Sequence, residues 1–201
     1  MKPSLLITAF EPFGGDASNV TDEILQAISR DMTTNKGDIT YLTLPVSRDD
    51  ALPALLDVIE TYKPDTVVCL GQANDRSELS IERVALNLCC YRIPDNKGEQ
   101  PDDEPVVMDG PAAYFATLPV NELVDRLNAE GIAVSISYSA GTYVCNSVFY
   151  GLLHFINGSL PGTRGGFIHV PRGAAEDLPE MIRAIQIVIR CLSGKESVAH
   201  V

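Results

Sequence analysis

The segment DTVVCLG, residues 65–71, is a nearly unbroken apolar run that ends in a glycine. This pattern is typical of a strand buried on both faces, which has no solvent side on which polar residues would alternate. Other segments are also apolar and extended, and they alternate with segments that have helical character: residues 4–9, 38–44, 133–139 and 165–170. The alternation of strands and helices predicts an α/β fold with a mostly parallel sheet covered on both faces.

Capping residues and proline set the expected helix boundaries. Thr21 is a candidate N-cap for a helix that runs through Met32, with Asp22 and Glu23 in its first turn. The remaining helices are expected at residues 49–62, at 119–130, at 146–157 and at 178–192. No repeat or linker interrupts this order, so we expect one domain spanning residues 1–201.

The composition indicates a globular protein that does not bind nucleic acid or membranes. Hydrophobic residues make up 45% of the 201 residues and charged residues 21%. A net charge of −12 repels nucleic-acid phosphates and anionic lipids. No apolar run is long enough to span a membrane, and the first strand continues into FEPFGG without a signal-peptide cleavage pattern. The five cysteines include no CxxC pair, which favours free thiols in a reducing cytosol.

Cys145 has a different setting from the other cysteines. It follows a predicted strand and a glycine-containing turn, and it lies in the first turn of the next helix. The free amides and the positive dipole end at that position favour thiolate over thiol, and the same amides can bind an oxyanion. Cys69, in contrast, lies within an apolar strand and is interpreted as a core residue. Position alone leaves Cys145 as either a nucleophile or a buried structural thiol.

His169 is the histidine whose position suits a catalytic base. It lies near the end of the predicted strand 165–170, and ligand sites of parallel sheets gather at the carboxyl ends of strands. His200 is the penultimate residue, and His154 lies too far along the helix that carries Cys145 to reach back to it. A buried, hydrogen-bonded histidine remains the alternative. The acid that would orient His169 follows another strand, and spacing does not choose among Asp75, Glu78 and Glu82.

Two loops have unusual compositions. Phe10 and Phe13 lie beside Gly14 and Gly15 after the first strand, where two exposed rings could hold a flat apolar ligand. The alternative is that this loop packs on its own domain. Residues 94–111 are rich in acids but lack the ligand spacing of a calcium-binding EF-hand, so we interpret them as a solvated loop.

Several motifs follow one another in an order that resembles the pyroglutamyl peptidase I family of cysteine peptidases. They are FEPFGG with Asn19, then GQA, ERVALNL, RIPDN, SAGTYVCN and GGFIHVP, and together they extend over nearly the whole chain. The resemblance implies a three-layer α/β/α sandwich with a mostly parallel, mixed sheet. It also implies a cytoplasmic homotetramer without metal or cofactor, whose substrates are N-terminally pyroglutamylated peptides.

The resemblance also assigns roles to individual residues. It implies a catalytic triad of Glu82, Cys145 and His169, in which the thiol forms a thioester with the pyroglutamyl group. It further implies that the substrate pocket is lined or shaped by Phe10, Phe13, Asn19, Gln72, Arg92 and Tyr143. Asn74 and Asp75 replace the glycine pair of the family's GQAGGR motif.

Two other functions are weighed against this one. An inactive protein that binds pyroglutamyl peptides would keep the pocket but lack turnover, and the complete set of Glu82, Cys145 and His169 argues against it. A nucleoside phosphorylase-type enzyme would need a basic phosphate site, for which the sequence offers only scattered arginines.

Overall fold

The structure is a computed structural model that describes residues 4–31, 39–173 and 175–194. Its strands, in chain order, are β1 (Leu5–Phe10), β2 (Ile39–Leu44), β3 (Thr66–Ala73), β4 (Leu79–Glu82), β5 (Val84–Leu86), β6 (Ala113–Phe115), β7 (Val134–Ser137) and β8 (Arg164–Pro171). The helices are α1 (Val20–Arg30), α2 (Arg48–Tyr62), α3 (Val120–Ala129), α4 (Val144–Ser159) and α5 (Leu178–Leu192).

Six strands form the central sheet in the order β2-β1-β3-β8-β4-β7, and β5 pairs with β6 in a separate antiparallel ribbon. Neighbouring strands of the central sheet run parallel, except that β4 runs antiparallel to β8. The sheet is therefore mixed and mostly parallel, as predicted. Every residue of β1 and β3 is buried, which explains why both strands are nearly continuous apolar runs.

The helices cover this sheet in two groups. One group contains α1, α3 and α5, in which α5 contacts both of the others, and the second contains α2 and α4, which contact each other. This arrangement confirms the predicted α/β/α layering. No helix in the described ranges has the length and apolar character that a membrane span requires.

Most predicted elements are present, and their boundaries differ by small amounts. The helix predicted at residues 178–192 matches α5. The N-cap of α1 is Asn19 and not Thr21, since Asn19 Oδ1 accepts a hydrogen bond of 3.0 Å from the Thr21 amide. Met32, the predicted end of that helix, lies outside the described residues. Three short strands, β4, β5 and β6, were not predicted.

Candidate active site

A cavity of about 640 Å³ opens where β1 and β3 end and α4 begins. It is lined by the proposed nucleophile Cys145 and the proposed base His169. All six residues expected in the substrate pocket also line it: Phe10, Phe13, Asn19, Gln72, Arg92 and Tyr143. The fold thus brings together side chains from positions 10 to 169 of the sequence. The cavity therefore lies at the carboxyl ends of parallel strands, where such a topology predicts a ligand site.

Cys145 is the second residue of α4, directly above strand β3. A Cβ atom added at Gly71 of β3 would lie only 3.0 Å from Cys145 Sγ. Gly71 pairs in register with His169 on the neighbouring strand β8. The thiol and the imidazole therefore adjoin the same point of the sheet. Gly71 was not identified from the sequence, although a glycine inside a buried strand often marks such a close approach.

The Cys145 side chain is half-buried, and its thiol is not acidic. Burial and the negative charge of Glu82 raise the pKa of the Cys145 thiol to about 12. Both effects oppose the thiolate that a position at the start of a helix favours. The amides at the start of α4 favour ionisation, but desolvation and the nearby carboxylate outweigh them.

Glu82 and His169 form a buried hydrogen-bonded pair. The distance from Glu82 Oε1 to His169 Nδ1 is 2.7 Å, and the two residues are 0% and 5% exposed. Glu82 ends β4 and pairs with Phe167 of the antiparallel strand β8, two residues before His169. A diagonal contact of this kind is within reach of a long side chain. The other two candidate acids differ, since Asp75 is exposed at the cavity and Glu78 is half-buried.

The charge state of Glu82 determines the tautomer of His169. Burial alone would raise the pKa of the Glu82 carboxyl. The hydrogen bond and charge of His169 and the charge of Arg76 outweigh burial, so this pKa is lowered. An ionised carboxylate only accepts hydrogen bonds, so His169 Nδ1 donates its hydrogen to Glu82. The second ring nitrogen, Nε2, is then free to accept a proton.

Arg76 contacts the same carboxylate from the loop after β3. Its Nη1 lies 2.6 Å from Glu82 Oε1, and its Nη2 donates to the carbonyl oxygen of Ser139 at 3.1 Å. The sequence allows Arg76 to pair with Asp75, Glu78 or Glu82 and does not choose among them. The fold selects Glu82.

Aromatic rings form one wall of the cavity. Phe10 is 2% exposed and Phe13 is half-buried, so the expectation of two exposed rings is wrong. The Phe13 ring lies 6.0 Å from the Tyr143 ring, which in turn lies 4.7 Å from Tyr91. The loop packs against its own domain and still presents apolar surface to the cavity.

Asn19 and Gln72 use their polar atoms to hold the start of α1. Asn19 Nδ2 donates to the Glu11 carbonyl at 3.1 Å, and its Oδ1 caps the helix. Gln72 Oε1 accepts from the Val20 amide at 2.9 Å, and its Nε2 donates to Asn74 Oδ1 at 2.9 Å. Both side chains therefore shape the cavity wall through bonds within the protein.

The segment predicted as a solvated loop, residues 94–111, follows directly on the cavity wall. Arg92 and Ile93, the two residues before it, line the cavity. Asp95 is only 6% exposed, and it accepts hydrogen bonds from three backbone amides, those of Arg48, Lys97 and Glu99. Through these hydrogen bonds, Asp95 orders the backbone of this segment. No group of three or more His, Cys, Asp or Glu residues within the described ranges could hold a metal ion.

Among the described residues, the second histidine, His154, is not at the cavity wall. His154 lies on α4 and is half-buried, with its Nδ1 2.9 Å from the hydroxyl oxygen of Tyr114. His200 lies outside the described residues. Of the histidines that the structure describes, His169 is the one that lines the cavity.

Comparison with known proteins relates this arrangement to one family. The sequence profile of the pyroglutamyl peptidase family matches residues 3–187. Pyrrolidone-carboxylate peptidase from Vibrio vulnificus is 41% identical over 207 residues, which cover 98% of this chain and 96% of that protein. The protein of the same name from Bacillus cereus is 42% identical over 168 residues, covering 84% and 78%.

Solved structures agree with the sequence comparison. Pyroglutamyl peptidase I from Bacillus amyloliquefaciens superposes with a TM-score of 0.90 at 35% identity, covering 98% of this chain and 97% of that chain. Pyrrolidone carboxyl peptidase from Thermococcus litoralis gives a TM-score of 0.87 at 38% identity, covering 97% and 94%. Sequence, fold and the residues around the cavity lead to one conclusion: the chain belongs to the pyroglutamyl peptidase family.

Proposed function

We propose that this protein is a cysteine peptidase that removes N-terminal pyroglutamate from peptides. Cys145 is the nucleophile, His169 is the general base and acid, and Glu82 orients the imidazole. The observation that carries the proposal is the buried 2.7 Å contact between Glu82 Oε1 and His169 Nδ1, next to a cavity that also holds the Cys145 thiol. Family membership supports the substrate class.

The cavity suits a neutral lactam. Pyroglutamate is a flat, mainly apolar ring with one N–H donor and one carbonyl acceptor. Phe13 and Tyr143 provide apolar surface for the ring, and the buried Phe10 also lines the cavity. Since Asn19 and Gln72 are engaged within the protein, we assign recognition of the lactam to backbone groups of the cavity wall. A proline ring lacks the carbonyl and would leave its partner unsatisfied.

The first chemical step follows from the protonation states. The Cys145 thiol is neutral at rest, so His169 Nε2 removes its proton as the sulfur attacks the pyroglutamyl carbonyl carbon. The amides at the start of α4 stabilise the resulting oxyanion, and loss of one such donor typically costs about 3 kcal/mol. His169 then donates the proton to the departing amine, which leaves a thioester on Cys145.

Hydrolysis of the thioester reverses these roles. His169 Nε2 removes a proton from water, and the hydroxide attacks the thioester carbonyl. The Cys145 sulfur leaves and takes the proton back from His169, which releases free pyroglutamate. Throughout both steps the Glu82 carboxylate keeps the hydrogen on Nδ1 and stabilises the imidazolium.

A chromogenic pyroglutamyl amide tests this proposal directly. We expect the wild type to release the chromophore and iodoacetamide to stop the reaction, whereas the matching prolyl amide is not cleaved. Cys145→Ser should reduce kcat by about 10³-fold or more, because the alcohol is a far weaker nucleophile at this site. Cys191→Ser, on α5 and outside the cavity wall, is the matched control and should retain activity. Wild-type rates in Cys145→Ser, or binding of pyroglutamate without turnover, would contradict the proposal.

The resemblance also leads us to propose a cytoplasmic homotetramer. Light scattering of the purified full chain during size-exclusion chromatography would give the mass of the assembly. A mass near 21.7 kDa, that of one chain, would contradict the tetramer.

A further inference from the structure

One oxygen of the buried acid is shared between two partners. Glu82 Oε1 lies 2.7 Å from His169 Nδ1 and 2.6 Å from Arg76 Nη1. The Arg76 side chain is 22% exposed and Glu82 is fully buried, so little water screens the contact. The acid therefore lies between an imidazole and a permanent cation.

The second arm of Arg76 reaches the segment that leads to the nucleophile. Its Nη2 donates to the Ser139 carbonyl oxygen at 3.1 Å and to the Ser137 hydroxyl at 3.3 Å. Ser139 begins a run of cavity-lining residues, 139–145, that enters α4 and includes Cys145. One guanidinium thus joins the acid to the backbone before the nucleophile. A lysine would not reproduce both contacts, because its donors share one nitrogen and lack the planar fork that places Nη1 on Glu82 and Nη2 on Ser139.

We propose that Arg76 is a positioning residue of this reaction. Acting through Glu82, it disfavours an additional proton on the Glu82–His169 pair, and it holds the segment that precedes Cys145. This inference rests on the proposed function and extends it to a residue outside the triad.

The effect on protonation follows from treating Glu82 and His169 as one titrating unit. An additional proton on the pair gives either an imidazolium beside a carboxylate or a neutral imidazole beside a carboxylic acid. In both states His169 Nε2 carries a hydrogen and cannot accept the Cys145 proton. The nearby positive charge of Arg76 disfavours the additional proton. Without Arg76 the pair keeps this proton to a higher pH.

Other titratable or charged groups lie around the pair on the neighbouring elements. They are Cys145 and Tyr143 near the start of α4, Asp75 on the same loop as Arg76, Cys90 and Arg92 after β5, and Cys69 on β3. On the continuation of β8, Arg172 is paired with Asp16 at 2.9 Å. Arg76 differs from these groups in its direct bond to the Glu82 oxygen that His169 uses.

The test is the pH dependence of kcat/KM for Arg76→Gln, measured with the pyroglutamyl amide from pH 5 to 9. The acid limb of this profile reports the essential base of the free enzyme. We expect it to move to higher pH by about half a unit to two units, a range typical for the loss of one nearby charge. We also expect kcat to fall more than KM rises, because Arg76 acts on the catalytic pair.

Arg83→Gln is the matched control. Arg83 follows Glu82 in the chain, but its guanidinium lies 5.4 Å from the centre of the Phe115 ring and donates to the Ala116 carbonyl, away from the cavity. The acid limb of the kcat/KM profile of Arg83→Gln should superimpose on that of the wild type. Superimposed wild-type and Arg76→Gln profiles would overturn the inference. Absence of activity in the wild type would instead overturn the proposed function, so the two failures are distinguishable.

Arg76→Lys keeps the test decisive if Arg76→Gln does not fold. Lysine restores a cation near Glu82 but cannot also hold Ser139. We therefore expect an acid limb at the wild-type position together with a lower kcat. A shifted limb, or a kcat equal to that of the wild type, would overturn the inference.

Discussion

Substitution of Gly71 by alanine should impair catalysis more than it destabilises the fold. The added Cβ would lie 2.6 Å from Phe167 Cζ, 2.7 Å from Phe167 Cε1 and 3.0 Å from Cys145 Sγ. Comfortable contacts between carbon atoms need about 3.5–4.0 Å, so the Phe167 ring would have to retreat by roughly 1 Å. This ring is fully buried, and its centre lies 4.8 Å from that of the His169 ring. The methyl group would therefore press on both the sulfur and the support of the imidazole.

The size of each effect can be stated separately. Overpacking a core with one methyl group typically costs about 1–3 kcal/mol, which lowers Tm by about 2–12 °C in a domain of this size. A 1 Å misplacement of reacting groups can cost about 10²-fold in rate. We therefore expect a protein that is still folded at 25 °C but has lost about 30- to 300-fold in kcat/KM.

Gly165→Ala separates packing strain from catalytic displacement. Gly165 also lies in a strand of the central sheet, and its Cβ would lie 2.9 Å from Ile156 Cδ1 and 3.3 Å from Leu152 Cδ2, away from the cavity. This control should lower Tm while keeping kcat/KM near the wild-type value. Thermal unfolding and the pyroglutamyl amide assay, with active sites counted by a thiol reagent, measure both quantities. A Gly71→Ala protein within threefold of wild-type kcat/KM would refute the reasoning.

Three further perturbations test other parts of the site. The Cys90→Ser variant removes an exposed competing thiol. In this background the rate of inactivation by iodoacetamide should rise continuously from pH 6 to pH 10, because the pKa of Cys145 is raised to about 12. A rate that reaches a plateau by pH 8 would indicate a resting thiolate. Glu82→Gln should cost about 3 kcal/mol at pH 7 by breaking a buried ion pair. Because the pKa of Glu82 is lowered in the folded protein, the stabilisation by Glu82 is present above the ordinary value of 4.5 and is lost as the pH falls through the folded value. The free energies of unfolding of wild type and Glu82→Gln, measured by urea titration, should therefore converge in acid. A difference that does not change with pH would contradict this prediction. Asp95→Ala should cost about 2–4 kcal/mol and raise KM more than it lowers kcat, because the unpaired amides loosen the segment that directly follows the cavity-lining Arg92. Unchanged urea midpoints and an unchanged KM would contradict this prediction.

Local sequence signals predicted the scaffold well. The apolar runs of β1 and β3 and the amphipathic pattern of α5 are written in consecutive residues. Cys145 was correctly expected in the first turn of a helix, because the preceding glycine turn marks the boundary. Such signals need no knowledge of distant parts of the chain.

Non-local pairing explains what the residues alone did not predict. Strand β4 has only four residues, and its antiparallel pairing with β8 joins positions about 90 apart in sequence. Without that pairing, Asp75, Glu78 and Glu82 were equivalent candidates, and family resemblance was needed to choose Glu82. For the same reason, the sequence did not show which of these three carboxylates Arg76 would contact.

Tertiary environment also explains two departures from what the local sequence favours. The helix terminus at Cys145 favours a thiolate locally, but burial and the charge of Glu82 come from the packed structure and raise the thiol pKa. Phe10 and Phe13 lie in a loop-like sequence, yet Phe10 is buried in the core and Phe13 is half-buried against it. In both cases, desolvation depends on residues that the local sequence does not contain.

The acid and the imidazole lie on β4 and β8, neighbouring strands in the interior of the central sheet. Separating them requires the rupture of ladder hydrogen bonds at the centre of the molecule, which is expected to open only when the whole domain melts. Heat inactivation should therefore coincide with cooperative denaturation, with no earlier phase in which the dyad is dismantled while the rest of the chain stays native.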